Sequence, residues 1–333
     1  MRAAYELAQQ YLSDYTHRFS RHDFTIPQLF ACLVLREHQK KSYRGTEELL
    51  RDCADLRDAV DLTRAPDHNT LCRAFTLLTK PAKMNRALDL QVEMAKAQGL
   101  QIKGDSVKPA VLDGTCFESR HVSRHFERRQ RQTAKQRRKT KGATRAKQAK
   151  TARAQRADAE RAKAKAAGDR RRSRTVKRLP RLSIAIAASC HLILAARATT
   201  GMGSDHPHFE PLLFDAWRRA DVRVVAGDAG YDSEANHEIA RRDMGIRSII
   251  PPDIGRPSDK SPPTRYRRLM RQRFDRGADK ATYGQRWQVE TVNSMIKRNL
   301  GSALRATTAR RRSRELLLRC ITHNIMVLEG TEP

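Results

Sequence analysis

The sequence predicts an α/β domain, a mixed sheet flanked by helices, preceded by an all-α region and interrupted by a long basic insertion. Three observations carry this. Short apolar runs at 108–115, 182–199, 222–231 and 247–252 alternate with amphipathic stretches, the pattern of a sheet covered by helices. Residues 1–100 instead place their apolar residues at helical spacing. Residues 127–178 are almost entirely Arg, Lys, Ala, Gln and Thr, which favours helix but supplies nothing large and apolar for a core.

The N-terminal region reads as several short helices. FTIPQLFACLVLREH and YRGTEELLRDCADLRDAV carry helical apolar stripes. APDHNTLCRAFTLL opens with turn chemistry and continues as a helix capped near Asn69 or Thr70. The aspartates of 52–61 read as a solvated face. Two readings of the region stand side by side, a helix-turn-helix reader of DNA and a helical bundle without DNA contact.

Beyond residue 108 the chain reads as one domain to residue 330, interrupted by the basic insertion. KPAVLDGT is a short strand ending in an acid, and LSIAIAASCHLILAARAT holds two strands. Residues 207–220 form a helix, and VRVVAGDAGY is a buried strand with an aspartate at its end. A helix capped by Asp232 or Ser233 follows, then the strand RSIIPP and a basic, Pro-rich loop. The last block, YGQRWQVETVNSMIK, reads as one helix. At about 100° per residue Tyr283, Arg286, Glu290 and Lys297 fall within about 60° of one another. Val289, Val292, Ile296 and Leu300 form its packed stripe, Gly301 its C-cap, and Trp287 reads as packed.

Composition narrows the partner. Lys and Arg number 67 against 37 Asp and Glu, a net charge of +30 that calls for a polyanion, and nucleic acid is the default. Aromatic residues at 5% argue against base stacking on aromatic platforms. The six cysteines form no CxxC pair, which suits a reducing compartment rather than a disulfide framework or zinc finger. His121, His125, Asp205, His206 and His208 lack further ligands at zinc spacing. MRAAYELAQQ does not read as a signal peptide, and the longest apolar run, 183–196, is too short to span a bilayer. The expectation is a soluble, cytoplasmic, nucleoid-associated protein with no membrane partner. The insertion reads either as a solvated insert or as an arm that binds phosphates by releasing counterions.

Asp113 and Asp228 each follow an apolar strand, and Glu290 lies on the last block. Each aspartate alone has a plainer reading, as the turn residue of DGT or of AGDAGYD. Three converging carboxylates repel one another unless a divalent cation lies between them, and hard Mg²⁺ prefers oxygen ligands.

DGTCFESRH at 113–121, GDAGYDSE at 227–234 and the Y-x2-R-x3-E-x6-K spacing at 283–297 resemble the three catalytic blocks of DDE transposases. The similarity is to bacterial insertion-sequence enzymes of the insertion-sequence-four type and relatives. It implies an RNase H-like catalytic domain that cleaves the element's terminal inverted repeats and joins them to target DNA. It further implies Mg²⁺, with Mn²⁺ substituting, held by Asp113, Asp228 and Glu290, and action as a homodimer or larger assembly on double-stranded DNA. Tyr283, Arg286 and Lys297 then hold DNA phosphates. The 62 residues from Asp228 to Glu290 leave no room for the β-rich insertion some relatives carry there. A junction resolvase or another RNase H-like nuclease would share the acids, and a non-catalytic basic DNA-binding protein would share the charge.

Overall fold

The computed structural model describes residues 1–17, 19, 22–119, 179–199, 206–252 and 262–330. The basic insertion at 127–178, His121, His125 and Asp205 lie outside the described residues.

The N-terminal region is helical: α1 (Arg2–Gln9), α2 (Ile26–His38), α3 (Tyr43–Asp52), α4 (Ala54–Asp58), α5 (His68–Leu78) and α6 (Pro81–Ala97). Helix α2 starts where Thr25 and Gln28 form a reciprocal capping box with a proline in the first turn, and it is buried on nearly every face. Helix α5 starts earlier than Asn69 or Thr70. Asp67 is its cap, because Oδ1 accepts both the Asn69 and Thr70 amides, at 2.8 and 3.1 Å. Asp52, Asp55, Asp58 and Asp61 are exposed.

The central sheet has five strands, β2 (Ala110–Cys116), β4 (Arg181–Ala187), β5 (Ile193–Thr199), β7 (Val224–Gly227) and β8 (Arg247–Ile249), in the spatial order β5-β4-β2-β7-β8. Strands β2, β4 and β5 run antiparallel to their neighbours, whereas β2, β7 and β8 run parallel. Two short parallel pairs flank it, β1 (Lys103–Gly104) with β6 (Asp221–Val222), and β3 (Glu118–Ser119) with β9 (Ala303–Leu304). Between β5 and β6 lies α7 (Phe209–Arg219), and after β7 comes α8 (Glu234–Glu238) with Ser233 as cap. The C-terminal helices are α9 (Arg265–Asp275), α10 (Lys280–Gly284), α11 (Trp287–Leu300) and α12 (Ala309–Glu329).

Three expectations are corrected here. The strand at 222–231 stops at Gly227, because Asp228 caps a tight turn over 229–231. Part of the Pro-rich loop is helix α9, which hides in sequence because Met270 is its one buried residue. The block 283–297 is two helices. Amides 285, 286, 288 and 289 bond to carbonyls three residues back, a tightening that separates α10 from α11.

The pleat sorts the core. On one face of the sheet Val111, Ile184 and Ile186 join Val289, Val292 and Ile296 of α11, Leu316 and Ile321 of α12, and Leu7, Phe30 and Leu33 of the N-terminal helices. On the other face Ala110, Leu112 and Ala185 meet Phe209, Leu212 and Leu213 of α7. One core therefore runs from the first helices to the sheet. A buried ion network crosses the same boundary: Glu37 of α2 bonds Arg305 at 2.6 Å and Arg319 of α12 at 3.4 Å, and Glu315 bonds Arg319 at 2.8 Å. Arg36 is hydrogen-bonded to Glu37 as well.

Candidate active site

Asp113 is the fourth residue of β2, opposite Ile184 of β4. The turn reading for it fails, because the strand continues to Cys116. On its other side, the last β2–β7 pair is Leu112 with Gly227. Asp113 and Asp228 are the next residues of these parallel neighbours, whose backbones lie about 4.8 Å apart. Alternation turns Asp113 to the same face as Val111, towards α11.

Asp228 does serve its turn, accepting the Gly230 amide at 3.0 Å. Gly227 makes room beside it: a Cβ there would sit 3.1 Å from the Tyr231 ring, which would have to shift by a few tenths of an ångström. The second aspartate of this block, Asp232, has a structural role. It is fully buried and bonds Arg267 at 2.8 Å, with His237 at 3.4 Å.

Glu290 lies in the first turn of α11, where the helix dipole favours a carboxylate, and Arg286 bonds it at 2.5 Å. Burial works against the Arg286 charge. The hydrogen bond to Glu290, with the negative charges of Glu290 and Asp113, nevertheless holds its pKa above the ordinary arginine value. Tyr283, on α10, is pushed up first by burial and then by Asp228 and Glu290, against the pull of Arg286. The fields of all three acids thus meet around Arg286 and Tyr283. Lys297 stands apart from that cluster, donating to Thr115 at 2.6 Å and lying 5.4 Å from the Phe117 ring centroid.

Two residues at this site carried no sequence assignment. Asn293 Nδ2 donates to Asp113 Oδ2 at 2.9 Å, and Thr115 receives Lys297. Their signal was periodicity: Asn293 is three residues from Glu290, and Thr115 is two from Asp113 on the same strand face. Asn293 is buried, and its Oδ1 has no hydrogen-bond partner among the described residues. Carboxylate and amide oxygens are the donors a hard divalent cation prefers. Among the described residues no three His, Cys, Asp or Glu side chains are grouped closely enough to hold a metal, and Glu290 is turned to Arg286. Trp287 is 54% exposed, against its expected packing, because the tightening at 285–286 starts α11 with this side chain off the buried stripe.

No helix among the described residues is long and apolar enough to cross a membrane. No curated protein and no solved structure matches the chain. Residues 110–325 match the family described as transposase DDE domain, a span that starts at β2 and includes Asp113, Asp228 and Glu290. The chain belongs to the transposase DDE domain family and is a DNA transposase.

Proposed function

We propose that this transposase cuts DNA at the ends of its element and joins them to a target by metal-dependent phosphoryl transfer, with Asp113, Asp228 and Glu290 as the metal-binding acids. The observation that carries this is the register. Asp113 and Asp228 each follow the last paired residue of two adjacent parallel strands, and α11, which bears Glu290, is tied to Asp113 through Asn293. The spatial order of the five main strands, with the third and second beside the first and the fourth and fifth parallel on its other side, supports an RNase H-like reading of this domain.

Bound Mg²⁺, or Mn²⁺ in its place, would polarise a phosphoryl oxygen and activate an attacking hydroxyl. The chain supplies the rest. Asp113 and Asp228 present oxygens from two neighbouring inner strands of the sheet, and Glu290 completes the set by turning from Arg286. The guanidinium released by that turn then offers its fork to a phosphate, where Tyr283 adds a hydroxyl donor. Lys297 places an ammonium two turns along α11 for the next part of the backbone. Residues 1–100 and the basic segment 127–178 contact DNA away from the scissile bond, and the enzyme works as a homodimer or larger assembly on double-stranded DNA in the bacterial cytoplasm.

The test is the purified chain incubated with duplexes carrying its own element ends. Cleavage with Mg²⁺ or Mn²⁺, stopped by EDTA, is expected. Undiminished cleavage in EDTA would overturn the metal mechanism.

A further inference from the structure

On the sheet face that carries Asp113, the register continues sideways. Asp113 pairs with Ile184, and Ile184 with Ala196 of the edge strand β5, two strands and about 10 Å away. Ala196 lines a cavity of about 460 Å³ between α6, β5 and α12, whose polar lining is Asn85, Arg197, Arg310, Ser313 and Arg314. A second cavity of about 410 Å³ adjoins it, lined by Asn69, Cys72, Arg73, Thr76 and Arg311. Thr76 joins the two: its carbonyl accepts Arg314 at 2.6 Å and its hydroxyl accepts Arg311 at 3.2 Å.

Arg73, Arg310, Arg311 and Arg314 therefore border one trough, Arg197 being paired with Asp215, and no carboxylate is among the residues lining either cavity. Nearby acids are already engaged. Asp215 holds Arg197 at 2.6 Å, and Glu315 is buried against Arg305 and Arg319. Burial first, then the charges of Arg310 and Arg311, depress the Arg314 pKa. Helix α5 contributes Asn69, Cys72, Arg73 and Thr76 at offsets of three, four and seven, one polar face turned to the trough. Arginine forks interleaved with amide and hydroxyl donors are the chemistry that grips phosphodiester oxygens.

We propose that this trough holds the phosphate backbone of the duplex DNA that flanks the bond being cut. The inference rests on the transposase reading above and adds where the flanking duplex runs: over the N-terminal end of α12 and the polar face of α5.

The experiment compares the intact chain with Arg73→Ala/Arg310→Ala, two exposed positions outside the catalytic set. Binding to an element-end duplex and to an unrelated duplex is titrated with salt, with a thermal melt of each protein as control. Each phosphate contact contributes about −0.9 to the slope of log K against log salt, so the double variant should be shallower by about 2 on both duplexes. Its melt should be unchanged, because neither side chain is buried. A folded variant with the wild-type slope overturns the proposal while leaving the transposase reading intact. A wild type that binds neither duplex sinks that reading and this proposal with it. If the variant's melt drops, phenylglyoxal modification of the intact chain decides: bound duplex should shield Arg73 and Arg310, and equal labelling with and without DNA rejects the proposal.

Discussion

Asn293 donates its side-chain amide to Asp113 across 2.9 Å, and this bond fixes the rotation of α11 about its own axis against β2. Glu290 is one turn before Asn293 and Lys297 one turn after it, so the contact sets where both side chains stand. The Lys297–Thr115 bond is a second tether on the same face. Further along, Arg319 donates to the Gly301 and Ala303 carbonyls, holding the C-terminal end of the helix, where Gly301 takes a φ of 101°.

Asn293→Ala should therefore act through Asp113 without removing an acid. Partners that orient ligating side chains typically contribute about 10–100-fold to metal affinity or activity. The expected signature is a cleavage curve displaced to higher Mg²⁺, with end binding unchanged. An identical Mg²⁺ titration for variant and wild type would leave Asn293 a packing residue only.

Asp113→Ala, Asp228→Ala and Glu290→Ala should each abolish end cleavage and spare most DNA binding. Removing one acid takes charge stabilisation from the transition state and leaves phosphate contacts elsewhere in place. Gel-shift and cleavage assays on the same preparations separate the two effects. Full cleavage by any one variant would strike that residue from the set.

Arg319→Ala should cost stability. Arg319 is 1% exposed and lies between Glu37 and Glu315, at 0% and 1% side-chain exposure. Removing the cation leaves Glu37 with Arg36 and Arg305 and Glu315 with Arg305 only, and breaking a buried ion pair this way costs about 3–5 kcal/mol. Urea unfolding measures it. A loss under about 1 kcal/mol would mean that Arg36 and Arg305 compensate for both acids.

His323 gives stability a pH dependence. Burial first, then the nearby His191, lowers its pKa to about 4, against the hydrogen bond to the His191 carbonyl that raises it. The unfolded chain takes up this proton near pH 6.5 and the fold only near its own lower pKa, so stability is fully present above that range and falls as pH drops through it. By pH 5 the loss should be about 2 kcal/mol. Comparing wild type with His323→Asn at pH 7 and pH 5 isolates it, because other groups titrate in both. Equal losses in the two proteins would remove His323 as the cause.

The residues proposed for the chemistry stand out in the chain because their signals are local. Asp113 and Asp228 announce themselves as acids in apolar strand segments, and the spacing of Tyr283, Arg286, Glu290 and Lys297 survives in the sequence whatever the backbone does between them. The charge of +30 named the class of partner. Helix α9 and the break at 285–286 were not legible: α9 buries a single residue, and the break is a change of hydrogen-bond partner that leaves composition untouched.

Only the tertiary structure decided which groups meet. Strand register set Asp113 beside Asp228, and the packing of α11 on β2 chose Asn293 as the partner of Asp113 from 180 residues away. The Arg36–Glu37 pair reads as ordinary surface charge, yet α2 buries it and joins it to Arg305, Arg319 and Glu315. Arg73 and Arg310 likewise come to share one trough because α5 and α12 pack on the same core. Local patterns fix which element a residue occupies and which face it takes. Contacts between distant segments depend on how the faces of several elements are buried together, and no single stretch of sequence encodes that.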